Sequence, residues 1–144
     1  MNLKIKKLTQ QGFSLVEVVL SSAVFVLLVT ALVGAYLYGQ ESTALAGNRA
    51  RAVLLAEEGL EVTRNIRDSN FSNLTHGSKG LTVSSGQWVF SGGSDLTDGF
   101  TRSVVITPGG SDNKKNVMGN VTWQQNQQRT GTVSLISRLT NWLA

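Results

Sequence analysis

Residues able to do chemistry are few in this chain of 144 residues, which has one histidine, His76, and no cysteine. A Ser–His–Asp arrangement would have to use His76, which stands in a Gly/Ser-rich stretch with no evident partner. A zinc site lacks ligands. Gly109-Gly110 is not followed by the Gly-Lys-Ser/Thr that opens a phosphate-binding helix. The residues point away from an enzyme, and no cofactor is expected. In Ser94-Asp95-Leu96-Thr97-Asp98-Gly99, the carboxylates of Asp95 and Asp98 are candidate calcium ligands; the simpler reading is a tight turn cornered at Asp98-Gly99. The basic turn Asn113-Lys114-Lys115-Asn116 has the charge to meet phosphates, but two lysines on a hairpin more often serve solubility than DNA binding. Asn73-Leu74-Thr75 and Asn120-Val121-Thr122 match the glycosylation pattern, a weak signal.

The carboxylate that stands out is Glu17. It precedes 21 residues without formal charge, Val18 to Tyr38, and follows a short leader with three lysines, Lys4, Lys6 and Lys7. At about 1.5 Å per residue a helix over that run spans roughly 30 Å, the hydrocarbon thickness of a bilayer. The basic leader predicts a cytoplasmic amino end, with everything after Gln40 outside. A carboxylate in such a helix costs about 2.5–3.5 kcal/mol at the membrane centre and less near an end. A plain secretory signal has a shorter apolar core followed by small residues; Val33-Gly34-Ala35 is a weak site of that kind. Neither a plain signal nor a simple anchor accounts for Glu17.

The run Gly12-Phe13-Ser14-Leu15-Val16-Glu17 closely resembles the cleavage and methylation motif of type IV prepilins and the related pseudopilins. The resemblance implies cutting between Gly12 and Phe13 by a prepilin peptidase on the cytoplasmic side, and N-methylation of Phe13 by the same enzyme. Glu17 then becomes the fifth residue of the mature chain. It is implied to pair, during assembly, with the terminal ammonium of Phe13 on a neighbouring subunit. Methylation leaves that amine basic. A matched pair is tolerated in an apolar bundle where a bare charge is not, so the pair acts chiefly as a register pin. The resemblance further implies an inner-membrane assembly platform and a cytoplasmic ATPase motor. It covers roughly the first quarter of the chain.

Moving a helix from lipid into a bundle gains little hydrophobic energy. Close packing must contribute, and Ala31, Ala35 and Gly39 recur at i, i+4 and i+8 as a small-residue stripe. Chance in an Ala/Gly-rich segment gives the same pattern. Gly34, a poor helix former, stands where many pilins carry a kinking proline, so local melting there is one alternative to a continuous helix. Removing the leader leaves ten basic against nine acidic residues, a formal charge of +1, so the precursor's basicity is no sign of a nucleic-acid binder. With no cysteine, the exported part has no disulfide to staple it, a departure from many pilins.

Those residues need elements to hold them. Phe13 to about Arg67 reads as one helix whose second half is amphipathic. Leu45, Ala52, Leu55, Val62 and Ile66 share one face, and Glu57, Glu58, Glu61 and Arg64 read as solvated. Glu61–Arg64 and Arg64–Asp68 have ion-pair spacing. Ser69 to Gly80 reads as a loop. Alternating runs at Leu81–Val83, Gln87–Phe90, Phe100–Thr107, Asn116–Gln125 and Thr130–Leu139 read as strands. Val117, Val121 and Trp123 fall on one strand face, as do Val133, Leu135 and Leu139; Trp142 is expected to cap that core. The expected class is α+β and pilin-like, a long N-terminal helix packed on a small antiparallel sheet. Its divisions are a leader at 1–12, a transmembrane and assembly half of the helix at 13–40, an amphipathic half at 41–68 and a sheet domain at 69–144.

The function so implied is a structural subunit of a type IV pilus-like extracellular filament. It would be single-pass in the cell membrane before assembly and extracellular afterwards, as a homo-oligomer or co-assembled with other pilins. Retention of Glu17 argues against the tip subunit that can lack it. The alternatives are a minor pilin or pseudopilin of a secretion or DNA-uptake system, and a monomeric membrane-anchored binding module.

Overall fold

The computed structural model describes residues 14–142. Gly12 and Phe13, with the expected cleavage and methylation points, lie outside the described residues. One helix, α1, runs Leu15–Ser69. A short 3-10 turn follows at Phe71–Asn73. Six strands come next: β1 Gly77–Ser84, β2 Gln87–Ser91, β3 Asp95–Thr97, β4 Phe100–Pro108, β5 Lys114–Asn126 and β6 Arg129–Thr140. The chain divides into two compact units between Ser42 and Thr43.

In the first unit, every residue from Ser14 to Ser42 is exposed. The helix is long and apolar enough to cross a membrane near the N-terminus, and none of its apolar window is buried among the described residues. Its polar side chains are satisfied locally. The hydroxyls of Ser21, Ser22 and Thr30 donate back to the carbonyls of Val18, Val19 and Val26, at 3.0, 2.8 and 2.8 Å. Such back-bonding is what a hydroxyl in hydrocarbon requires, because lipid supplies no acceptor. Tyr36 and Gln40 bond to each other near the end of the run, where an amphipathic ring suits a membrane–water boundary.

In the second unit, α1 lies on the inner face of an antiparallel sheet of order β2-β1-β4-β5-β6, with β3 also paired to β4. The buried helix residues are Ala52, Leu55, Ala56, Gly59, Leu60, Val62, Thr63 and Ile66. That is the spacing of one helical stripe. Leu45, expected on this stripe, is half-buried. Opposite them the strands alternate: Phe100, Arg102, Val104 and Ile106 on β4, then Val117, Gly119, Val121 and Trp123 on β5, all point inward. Each large aliphatic side chain so buried contributes about 1.5–3 kcal/mol. Small residues set the spacing between layers. A Cβ on Gly119 would come 2.8 Å from the Ala56 carbonyl oxygen, and one on Gly59 would meet Arg102 and Val104 at 3.4 Å.

Two hairpins turn through two residues with positive φ. Ser85 and Gly86 (52° and 76°) join β1 to β2, and Asp98 and Gly99 (50° and 85°) join β3 to β4. Ser84 pairs with Gln87 and Thr97 with Phe100 across these turns. Left-handed φ at both centres matches the right-handed twist of the flanking strands. The tight-turn reading of Asp98-Gly99 matches this geometry.

Three local expectations differ. The segment Ser69–Gly80 is not all loop: β1 begins at Gly77, because Gly77, Ser78 and Lys79 pair with Ile106, Val105 and Val104 of β4. Asp95–Thr97 is a strand, brought about by the turn that folds it onto β4. Trp142 does not cap the core; it is 63% exposed, and its indole N–H reaches Asp68 at 3.4 Å.

Candidate functional site

Glu17 sits in the first turn of α1. Ser14 precedes that turn, and its carbonyl accepts the backbone N–H of Glu17 and of Val18, at 3.0 and 3.2 Å. Ser14 and Glu17 have the spacing of a capping box, which starts helices efficiently. An acid here also faces the positive end of the helix dipole. The local fold therefore favours Glu17 whether or not a neighbour is present. Its carboxylate is exposed, with no ion pair to any described residue. Ala31, Ala35 and Gly39 lie further along the same exposed helix. A side chain at Gly34 or Gly39 would meet nothing within 4 Å, so the chain's own packing requires neither glycine. The helix is continuous through Gly34.

Each of the two calcium candidates faces an arginine. Asp95 faces Arg102, whose Nη2 donates to it at 2.9 Å, and it also accepts the Leu81 backbone N–H at 2.9 Å. Asp98 pairs with Arg51, whose guanidinium lies 5.7 Å over the Phe100 ring. Among the described residues no three carboxylates or histidines cluster to hold a metal ion.

Arg102 is a feature that sequence reasoning passed over. Its side chain is 4% exposed and bridges two elements, bonding Asp95 of β3 and, at 3.0 Å, Glu58 of α1. Its Nη1 also donates to the Leu55 carbonyl at 3.4 Å. A buried guanidinium is tolerable because nearly all its donors are met. The signal was available: Arg102 stands in the inward phase of the β4 alternation. Glu58, read as solvated, is exposed and is one of the two acids that answer it, with Asp95.

Two further ion pairs are local. Arg64 pairs with Glu61 at 2.5 Å. The expected Arg64–Asp68 pair is replaced by Arg67–Asp68 at 2.8 Å. Hydrogen bonding from Arg67, with lesser help from the Trp142 indole, holds the Asp68 carboxyl below its ordinary value. Lys115 Nζ lies 3.0 Å from His76 Nε2. Asn120 receives a hydrogen bond from Ser134 at 2.8 Å on the outer sheet face, and Asn73 is exposed at the end of the 3-10 turn. The chain matches no protein-family model, no curated protein and no solved structure.

Proposed function

We propose that the chain is a pilin-like structural subunit: a membrane-inserted precursor, trimmed between Gly12 and Phe13, that polymerises into an extracellular filament through its N-terminal helix. One observation carries the reading. An exposed acid in the first turn opens an uncharged run of membrane length that no other described residue buries. Lipid covers such a surface before assembly, and copies of the same helix cover it afterwards. In water the bundle is held by apolar burial at about 25 cal/mol per Å². In lipid that driving force is absent, so assembly draws on packing, on pairing of Glu17 with a neighbour's terminal amine, and on external work. The motif resemblance supplies the peptidase, the platform and the ATPase motor as partners.

The test is the mass of the chain recovered from cells, together with the composition of sheared surface fibres. A chain starting at N-methylated Phe13, abundant in the fibres, is the expected result. An intact Met1 on a chain that stays in the membrane fraction would refute the reading and favour a monomeric anchored module.

A further inference from the structure

The outer face of the sheet, turned away from α1, is mostly polar over β4, β5 and β6 and carries one continuous apolar row there; the other exposed apolar residues of this face, Leu96 and Val89, stand apart on β3 and β2. Val105, Met118 and Ile136 stand side by side across β4, β5 and β6. Polar rows flank it, Ser103–Asn120–Ser134 on one side and Thr107–Asn116–Arg138 on the other. The row floors a groove, and Ile136 is 75% exposed. Arg138 donates to Asn116 at 3.1 Å and has no carboxylate partner among the described residues. A continuous apolar stripe flanked by polar rows, with a cation on its rim, is a docking surface in character.

Its complement lies on the opposite side of the same unit. The face of α1 directed away from the sheet carries Leu54, 65% exposed. Around it Glu57, Glu58 and Glu61 line a second groove. Glu57 has no cationic partner among the described residues. We propose that the Val105–Met118–Ile136 groove receives the Leu54–Glu57 face of α1 from a second copy of this chain, with Leu54 against Ile136 and Glu57 against Arg138. Signs and polarity match: an apolar centre meets an apolar centre, and an unpaired acid meets an unpaired base. The two surfaces lie on opposite sides, so the contact is heterologous and repeats without closing on itself. It deepens the reading of the chain as a self-assembling subunit by adding a contact outside the membrane helix.

Cysteine cross-linking tests this directly, because the natural chain has no thiol. Both positions are exposed, so Leu54→Cys and Ile136→Cys leave the core untouched. The full-length chain carrying both substitutions is oxidised with copper phenanthroline in native membranes. The expected result is a ladder of disulfide-linked multimers. A mixture of the two single variants should stop at dimers, and each single variant alone should stay monomeric. Glu57→Arg or Arg138→Glu should each cut the ladder at least tenfold, and the two reversals together should restore it. Absence of a ladder would overturn the contact, and so would dimers from Ile136→Cys alone, which indicate a self-complementary face. Fibres of trimmed chain that fail to cross-link would refute this contact and leave the filament reading standing. A ladder formed by untrimmed chain would do the reverse.

Discussion

The Trp123 indole lies over Gly131, its cross-strand partner on the neighbouring strand, so closely that a Cβ on Gly131 would come within 2.3 Å of the ring. The same indole packs 5.7 Å from Phe100, centroid to centroid, and belongs to the core cluster with Ala52, Leu55 and Ala56 of α1. Gly131 is thus the space the tryptophan occupies. Gly131→Ala should displace the ring and destabilise the second unit by about 1–3 kcal/mol. Denaturant unfolding of the full chain in detergent, followed by tryptophan fluorescence, measures it. An unchanged midpoint would show that the sheet relaxes at no cost.

Removing Arg102 should cost more than removing any exposed charge. Its guanidinium joins β3 to α1 through Asp95 and Glu58. Arg102→Ala strands a largely buried Asp95 carboxylate and should cost about 3–5 kcal/mol. Arg102→Met keeps the volume, and Asp95→Asn beside it removes the stranded charge, so that double variant should recover much of the loss. By contrast Arg51→Ala, at an exposed pair with Asp98, should cost about 1 kcal/mol or less. Equal losses at the two arginines would contradict this ordering.

How much of this was readable beforehand depends on which force places each residue. The strands β4, β5 and β6 were legible because Val104, Ile106, Val117, Val121 and Val133 recur in a two-residue phase, with polar neighbours on both sides of Val121 and Val133, and all are buried. The start of β1 was not, since Gly77-Ser78-Lys79-Gly80 has no apolar phase and is a strand only through its pairing with β4. Gly80 must also stay bare: a Cβ there would come 2.5 Å from backbone atoms of Ser91 and Ser94. β3 has three residues, too few for a period. Arg102 was passed over because it is charged, although it stands in the inward phase of β4. Trp142 was misplaced by its size, since an indole can lie outside when its N–H finds an acid such as Asp68. In the first unit, burial gives no guide, because every described residue there is exposed; Glu17 and the uncharged run behind it were legible from charge alone.

Asp68 carries a pH dependence of definite sign. Arg67 holds its carboxyl below the ordinary 3.8. A group with a depressed folded value contributes stability above its unfolded value and loses it as pH falls through the folded one. The Arg67–Asp68–Trp142 contact should therefore hold at neutral pH and release only below about pH 3.8. NMR titration of the Asp68 carboxyl in the micelle-bound chain reads this directly. Arg67→Ala should return the midpoint toward 3.8, and an unshifted midpoint in the natural chain would remove the effect.

Glu17 invites a prediction in which two physical accounts compete. One is local: an acid three residues after Ser14 suits a helix start and the positive end of its dipole. That contribution is about 0.3–1 kcal/mol, and Gln at this position in a capping box retains part of it. The other is intermolecular, a charge that pins an incoming helix by pairing with a neighbour's terminal amine. Only the second needs the negative charge. Glu17→Gln should therefore leave membrane insertion and the folded second unit intact, yet reduce filament yield by tenfold or more. Glu17→Asp keeps the charge on a shorter arm and should fall between. Near-ultraviolet circular dichroism reports the fold, and the mass of sheared fibre per cell reports assembly. Normal fibre yield from Glu17→Gln would assign Glu17 to the helix start alone, and the intermolecular pair would have to be given up.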